Sequence, residues 1–303
     1  MNQSHLGRVL LGLATLFAPF SKLASAEAGA EAKTYRLLTD IQYAEAAGHK
    51  LLLDLYLPGN QKRSPLIVWV HGGAWRRGSK DRVPLKSLVE NGGYALASID
   101  YRLSPVAKFP AQIHDCKAAI RFLRGEQRRY GYDATRIGIT GSSAGGHLIA
   151  LLGVTNHHQQ LEGSVGDHLD QSSAVQATVD YFGPTNFTTI LNQSTPHGLG
   201  VRIPALQLLL GGRPEDKPDL ARLASPVFHV DSEDPPLLMI HGDQDPQVPI
   251  NQSHELHGAY KKQKLEVHFE VVHGGAHGGQ AFFDEPRLRM VTEFFDRHLR
   301  DGR

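Results

Sequence analysis

The chain has 303 residues, with 32 basic and 31 acidic side chains and a formal net charge of +1. Hydrophobic residues make up 41% and charged residues 21%, which is typical of one ordinary globular domain, with two also possible. The charge balance argues against a nucleic-acid-binding protein, and no basic run with interleaved aromatic residues occurs. Cys116 is the only cysteine, so an internal disulfide is excluded.

The first segment of the chain has the pattern of an export signal. Arg8 precedes the apolar run VLLGLATLFAPF at 9–20, and a small-residue A-x-A pattern ends at Ala26. The alternative, a membrane anchor, is disfavoured because the run is shorter than the ~20 residues that a spanning helix needs. We therefore expect residues 1–26 to be removed and residues 27–303 to be periplasmic or secreted, with no stable membrane insertion.

Strand and helix patterns then alternate along the chain. The first two strand patterns flank a glycine-containing turn and predict an antiparallel hairpin, whereas several later ones are continuously apolar, as in strands buried on both faces. The strand patterns cover 34–45, 49–58, 64–73, 94–103, 136–141, 175–183, 235–243 and 265–272. The helical patterns cover 109–131, 144–154, 250–263 and 281–299. This alternation predicts an α/β fold with a mostly parallel eight-stranded sheet and helices on both faces.

The segment 188–222 interrupts the alternation between the sixth and seventh strand patterns. It is punctuated by proline and glycine and contains the apolar run IPALQLLL at 203–210. We interpret it as a short lid insertion about one helix long. A surface excursion without a role is the alternative.

A candidate nucleophile lies at the end of the fifth strand pattern. The sequence there is GSSAGG at 141–146, a G-x-S-x-G string centred on Ser143 and followed by a helical pattern. The glycines allow a sharp turn, and the helix N-terminus would face negative charge that develops at Ser143. A hydroxyl is a weak nucleophile, so it needs an adjacent base that a third group orients.

The candidate for that third group lies in HGDQDPQVP at 241–249, directly after a strand pattern. Two aspartates are possible. Asp243 follows a glycine, where aspartate commonly forms turns. Asp245 lies further out on the loop and can reach across the sheet edge, so we favour Asp245.

The stretch HGGAHGG at 273–279 offers the base, and a metal site or a flexible linker are its other interpretations. A run so rich in glycine is a poor helix, so the two histidines gain no support as metal ligands four residues apart. The stretch joins a strand pattern to a helical pattern, which disfavours a free linker. His277 stands four residues beyond the strand and can approach Ser143, while His273 is the alternative base.

Several strings together resemble the α/β-hydrolases of the esterase/lipase superfamily. The resemblance is to the bacterial feruloyl- and acetyl-esterase-like (BD-FAE-like) group related to the hormone-sensitive-lipase family. The strings are LDLYLP (53–58), VWVHGGAW (68–75), IDYRLSP (99–105), FPAQIHD (109–115), GSSAGGHL (141–148), HGDQDPQVP (241–249) and GGAHGG (274–279). The chain order of serine, aspartate and histidine is that of this fold.

The resemblance implies a serine esterase that requires no metal or organic cofactor. Its catalytic triad would be Ser143, Asp245 and His277. Amides of Gly72, Gly73 and Ala144 would form the oxyanion hole.

Two departures from lipase-like relatives favour small-acyl or carbohydrate esters. Ser142 stands where those relatives carry aspartate, and Ala74 stands where they carry a third glycine. We expect Trp75, Ser142 and Phe182 to contact substrate, although Trp75 could instead pack within its loop.

Two other functions fit the same motifs. An amidase resembling kynurenine formamidase is disfavoured by the export signal and by the lack of an amide-recognition signal. A catalytically inactive binding protein of this fold is disfavoured because candidates for all three triad positions are present.

Overall fold

An eight-stranded sheet organises the chain in the computed structural model, which describes residues 35–59 and 63–300. The predicted export signal lies outside the described residues. The strands are β1 (Tyr35–Ala46), β2 (His49–Pro58), β3 (Pro65–Val70), β4 (Ala95–Ile99), β5 (Asp133–Ser142), β6 (Ala177–Tyr181), β7 (Leu237–Gly242) and β8 (Val267–Val272). Their order in the sheet is β1-β2-β4-β3-β5-β6-β7-β8. Strand β2 is antiparallel to β1 and β4, and the other pairs are parallel. The structure confirms the predicted α/β-hydrolase fold.

Helices cover both faces of the sheet. They are α1 (Ser87–Glu90), α2 (Ala111–Gly125), α3 (Gln127–Tyr130), α4 (Ala144–Gly153), α5 (Gln159–Glu162), α6 (Ile190–Gln193), α7 (Pro196–Leu210), α8 (Pro218–Leu223), α9 (Asn251–Lys262) and α10 (Glu285–Leu299). Helices α2, α4 and α9 contribute to one apolar core, and α1 and α10 to the other. Strand β3 supplies apolar side chains to both cores, which explains its unbroken apolar run PLIVWV.

The parallel arrangement determines where a site can form. Strands β3, β5, β7 and β8 are mutually parallel, so their carboxyl ends lie at one edge of the sheet. The motifs HGG, GSSAGG, HGDQD and HGGAHGG follow these four ends. Loops at this edge are the usual place for ligands in α/β folds.

The excursion between β6 and β7 is longer and more helical than predicted. It carries three helices, α6, α7 and α8, and two 3₁₀ turns instead of one helix. Helix α7 continues through Pro204, from its cap at Thr195 to a left-handed Gly211. The proline cannot donate the usual hydrogen bond to the carbonyl four residues earlier. Leu206 and Leu209 of the same helix are buried in the core, and such packing stabilises a helix more than the intrinsic preference of its residues.

Within 35–59 and 63–300, no helix combines the length and the apolar character needed to cross a bilayer.

Candidate active site

Ser143 sits on a strained turn between β5 and α4. Its backbone is left-handed, with φ 54° and ψ −118°, a conformation that costs a non-glycine residue on the order of 1–3 kcal/mol. The Ser143 amide donates to the carbonyl of Tyr181 at 2.8 Å, and the Ser143 carbonyl accepts from the His147 amide at 2.9 Å. These bonds hold the hydroxyl at the sheet edge, directly before the N-terminus of α4.

Glycines let this turn pack closely against β3. A Cβ on Gly145 would lie 2.1 Å from the carbonyl oxygen of Val70, and a Cβ on Gly141 would lie 2.7 Å from the Gly145 carbonyl carbon. Real Cβ atoms do not approach backbone so closely. The G-x-S-x-G spacing is therefore a packing requirement as well as a source of conformational freedom.

The structure brings Ser143, His277 and Asp245 into one hydrogen-bonded chain. His277 Nε2 lies 2.8 Å from Ser143 Oγ, and His277 Nδ1 lies 2.6 Å from Asp245 Oδ2. The carboxylate can only accept, so Nδ1 carries the proton and Nε2 is free to accept the serine proton. The arrangement matches the geometry of a nucleophile, a base and an orienting acid.

The hydrogen bonds around Asp245 stabilise its ionised form. Its side chain is fully buried, and its second oxygen accepts from the amides of Gln247 and Val248 at 2.8 and 2.9 Å. Burial alone would raise the pKa of Asp245, but hydrogen bonds from His241 and His277 outweigh it and hold the pKa well below its usual range. His241, which the sequence interpretation did not single out, lies 3.3 Å from Asp245 Oδ2.

The alternative residues form a second, separate pair. Asp243 Oδ2 lies 3.0 Å from His273 Nδ1, and Asp243 Oδ1 accepts from the Gly274 amide at 2.8 Å. The His273 side chain is 87% exposed, whereas that of His277 is 11% exposed. Each histidine of HGGAHGG thus pairs with a different aspartate, and only His277 also contacts Ser143.

The HGG loop lies against the nucleophile. A Cβ on Gly72 would come within 3.3 Å of Ser143 Cβ, and Gly73, Ala74 and Trp75 are all left-handed, with φ between 55° and 113°. The Gly73 carbonyl accepts from two following amides, so the turn is closed on itself. No hydrogen bond between described residues engages the amides of Gly73 or Ala144.

An open cleft of about 1150 Å³ reaches Ser142, the residue directly before the nucleophile. Ser142 and Phe182, two of the expected substrate contacts, line it together with Gly72, Gly73 and Phe283. The Phe182 ring meets the His277 ring edge-on, with centroids 4.8 Å apart. Phe283 was not foreseen, because a phenylalanine early in a helical pattern carries no signal of a site.

The expectation that Trp75 contacts substrate is wrong. The side chain is fully buried, and its Nε1 donates to His147 Nδ1 at 3.1 Å. His147 Nε2 in turn donates to the carbonyl of Ala224 at 2.7 Å, which requires the neutral tautomer with Nδ1 as acceptor. Burial lowers the pKa of His147 to about 4, so the ring stays neutral. Trp75 ties the HGG loop to α4 and offers no surface to a ligand.

In the part of the chain that the structure describes, no group of three or more histidine, cysteine, aspartate or glutamate side chains is arranged to hold a metal ion. The two histidines of HGGAHGG bind separate aspartates.

The fold and the serine, histidine and aspartate chain define an α/β-hydrolase. The model of the BD-FAE family matches residues 53–260, and the chain therefore belongs to that family.

Esterases are found both among the relatives of this chain and among the solved structures that resemble it. Esterase LipQ of Mycobacterium tuberculosis is 35% identical over 263 residues, which are 84% of this chain and 60% of LipQ. A truncated carbohydrate esterase from gut microbiota is 36% identical, with a TM-score of 0.81 over 88% of this chain and 97% of that one. A bifunctional GH43-CE protein of Bacteroides eggerthii is 37% identical, with a TM-score of 0.80 over 87% of this chain and 35% of that one. This chain covers 60% of LipQ and 53% of Esterase LipC, so it spans little more than half of these curated relatives.

Proposed function

We propose that this protein is a serine carboxylic-ester hydrolase that acts through an acyl-enzyme on short-chain or carbohydrate-linked esters of the acetyl or feruloyl type. The observation that carries the proposal is the continuous chain from Asp245 through His277 to Ser143, with Ser143 held at a strained turn. Similarity to a carbohydrate esterase and to LipQ supports the choice of esters.

In the first half of the reaction, Ser143 Oγ attacks the ester carbonyl carbon while its proton passes to His277 Nε2. The carbon–oxygen bond to the alcohol then breaks, and His277 gives that proton to the departing alcohol. The acyl group is left as an ester on Ser143. Asp245 holds the Nδ1 proton and stabilises the imidazolium that forms between the two steps.

In the second half, water takes the place of the alcohol. It attacks the acyl carbon and gives a proton to His277 Nε2, and the proton returns to Ser143 Oγ as the acid leaves. The same three side chains therefore serve both halves.

The negative oxygen that forms in each half needs hydrogen-bond donors. The amides of Gly73 and Ala144, which bond to no described residue, are the donors that we assign, together with the amide of Gly72. Donors fixed before the reaction stabilise developing charge without reorganising, and each is worth about 2.7–4 kcal/mol in comparable enzymes.

The cleft favours a polar alcohol such as a sugar over a long aliphatic chain. The residues that line the cleft with Phe182 include four exposed charged side chains, Arg77, Asp81, Arg82 and Lys86. Charged side chains suit hydroxyl-rich groups, whereas long acyl chains require extended apolar walls.

Covalent labelling tests the nucleophile. Diethyl 4-nitrophenyl phosphate is expected to abolish 4-nitrophenyl acetate hydrolysis and to modify the peptide that contains Ser143, because only an activated hydroxyl reacts readily. Ser143→Ala should be inactive and unlabelled. Labelling of Ser142 would refute the assignment.

An ester panel tests the substrate class. We expect kcat/KM to be highest for acetyl esters, to include feruloyl esters and to fall from butyryl through octanoyl to decanoyl. A higher value for decanoyl than for acetyl esters would contradict the short-chain assignment. Turnover of formylkynurenine in preference to all esters would instead identify an amidase.

A further inference from the structure

Asp245 is shared between two arms that each consist of a serine and a histidine. In the first arm, Ser143 and His277 lead to Asp245 Oδ2. In the second arm, Ser253 Oγ on α9 lies 2.7 Å from His241 Nδ1 on β7, and His241 Nε2 lies 3.3 Å from the same Oδ2 atom. The second arm repeats the chemical order of the first around one carboxylate, and the proposed reaction makes no use of it.

The second arm is not a second active site. Ser253 is 1% exposed and His241 is fully buried, so no ester can reach either side chain. A buried polar network whose members are all hydrogen-bonded makes the groups that it contacts more rigid. The group that this network contacts is the acid of the triad.

The contacts of His241 determine which ring nitrogen carries a proton. Nε2 lies 3.0 Å from the carbonyl oxygen of Val248 and 3.3 Å from Asp245 Oδ2, and both oxygens can only accept. Nε2 therefore carries the proton, and Nδ1 of the neutral ring accepts from the Ser253 hydroxyl. Both ring nitrogens are occupied, which holds the ring in one orientation.

His241 also closes the turn that carries the triad acid. Val248 contributes to this turn twice, because its carbonyl lies beside His241 and its amide donates to Asp245 Oδ1 at 2.9 Å. The carboxylate thus has backbone donors at Oδ1 and two histidines at Oδ2, which restricts its rotation. Such support matters, because a misplacement of about 1 Å in a catalytic group can lower a rate on the order of 10²-fold.

We propose that His241, held by Ser253, is a positioning residue that fixes the Asp245 carboxylate and limits the negative charge that this carboxylate presents to His277. The inference rests on the proposed esterase function and concerns the same site. A carboxylate with more negative charge at Oδ2 would favour the doubly protonated ring of His277. A base that is already protonated cannot accept the Ser143 proton, so sharing Oδ2 between two histidines keeps the base available at lower pH.

Two further charged or titratable groups face this cluster. Arg202 on α7 attracts Asp245, and Asp180 on β6 interacts electrostatically with His241. Both groups remain in every variant of the test, so the effect of the second arm is measured against the same background.

Three variants separate positioning from packing. His241→Phe keeps a ring of similar size and removes the Nε2 proton, whereas His241→Gln keeps an N–H donor. Ser253→Ala removes the hydroxyl that holds the ring. Ser98→Ala is the matched control, because Ser98 is also buried and its hydroxyl donates to the carbonyl of Lys80 at 2.6 Å rather than to the second arm.

The assay measures kcat and KM on 4-nitrophenyl acetate as a function of pH. In His241→Phe, kcat should fall about 10- to 100-fold while KM changes less than about twofold, because the second arm supports the base and does not bind substrate. The acid limb of the kcat/KM profile should move up by about half to one pH unit, as for the loss of one hydrogen-bond donor to the carboxylate. Ser253→Ala should show the same changes to a smaller extent, with kcat lowered at least about threefold. His241→Gln should recover most of both properties, and Ser98→Ala should match wild type.

Two results would overturn the proposal: an acid limb of His241→Phe at the wild-type pH, or a kcat of His241→Phe or Ser253→Ala equal to that of Ser98→Ala. Circular dichroism first establishes that each variant is folded. If His241→Phe does not fold, Ser253→Ala decides by the same two criteria.

Proton NMR provides a readout that does not depend on turnover. The short hydrogen bond from His277 Nδ1 to Asp245 should give a low-field proton signal that His277→Ala lacks. The signal should move to lower field in His241→Phe and stay in place in Ser98→Ala. If no ester is hydrolysed but the signal moves in this way, the esterase assignment fails while the positioning role stands; an unmoved signal in His241→Phe refutes the positioning role.

Discussion

Replacing the two histidines of HGGAHGG one at a time tests how the site is built. His277→Ala removes the group that lies 2.8 Å from Ser143 Oγ and 2.6 Å from Asp245 Oδ2. Without a base, kcat on 4-nitrophenyl acetate should fall on the order of 10⁴-fold or more. His273→Ala should retain kcat within about twofold, because a residue that does not touch the reacting atoms contributes little to transition-state stabilisation.

Stability should separate the same two variants. His277→Ala leaves a fully buried Asp245 oxygen with only His241 nearby, at 3.3 Å, and a buried acceptor that loses its partner costs about 1–3 kcal/mol. His273 is 87% exposed, so its removal should leave the melting temperature almost unchanged.

The assay is kcat on 4-nitrophenyl acetate after circular dichroism has shown that each variant is folded. Asp245→Asn and Asp243→Asn serve as the matched pair, and only Asp245→Asn should lose activity, because it disturbs the tautomer of His277. An inactive His273→Ala beside an active His277→Ala would show that the functional roles do not follow the observed pairing.

Two further substitutions test the packing that supports the site. Burial raises the pKa of Asp180 to about 7. The electrostatic influence of His241 and the hydrogen bond from the Gly183 amide act in the opposite direction and are weaker. Between about pH 4 and pH 7 the unfolded chain has lost this proton while the folded chain keeps it, so this residue makes stability fall as pH rises. Wild type should therefore lose about 3–4 kcal/mol of unfolding free energy relative to Asp180→Asn when the pH is raised from about 4 to about 7. Urea titration of both proteins at the two pH values measures this difference. Equal changes of the unfolding free energy in the two proteins would refute the argument. Gly145→Ala should cost at least about 3 kcal/mol or prevent folding, because the new Cβ would lie 2.1 Å from the Val70 carbonyl oxygen. Gly258→Ala, in open space on α9, is its control and should stabilise by about 0.5–1 kcal/mol; equal stability of the two variants in the same titration would show that the turn can relax.

The sequence by itself determined the strands, the four loops that carry polar motifs and the edge of the sheet where those loops meet. Apolar runs such as PLIVWV report burial on both faces directly, because each residue of a central strand needs an apolar environment. The role of the glycines around Ser143 is also visible in the local sequence, because the turn itself leaves no room for a Cβ atom at these positions.

Only the tertiary structure decided which side chains meet. Ser143 and His277 are 134 residues apart, and sheet order, not sequence spacing, sets their distance. One loop carries two aspartates and another carries two histidines. The sequence pattern could rank the possible pairs but could not show which side chains meet. The burial of Trp75 and the continuation of α7 through Pro204 likewise depend on packing between distant segments, which no local pattern of residues encodes.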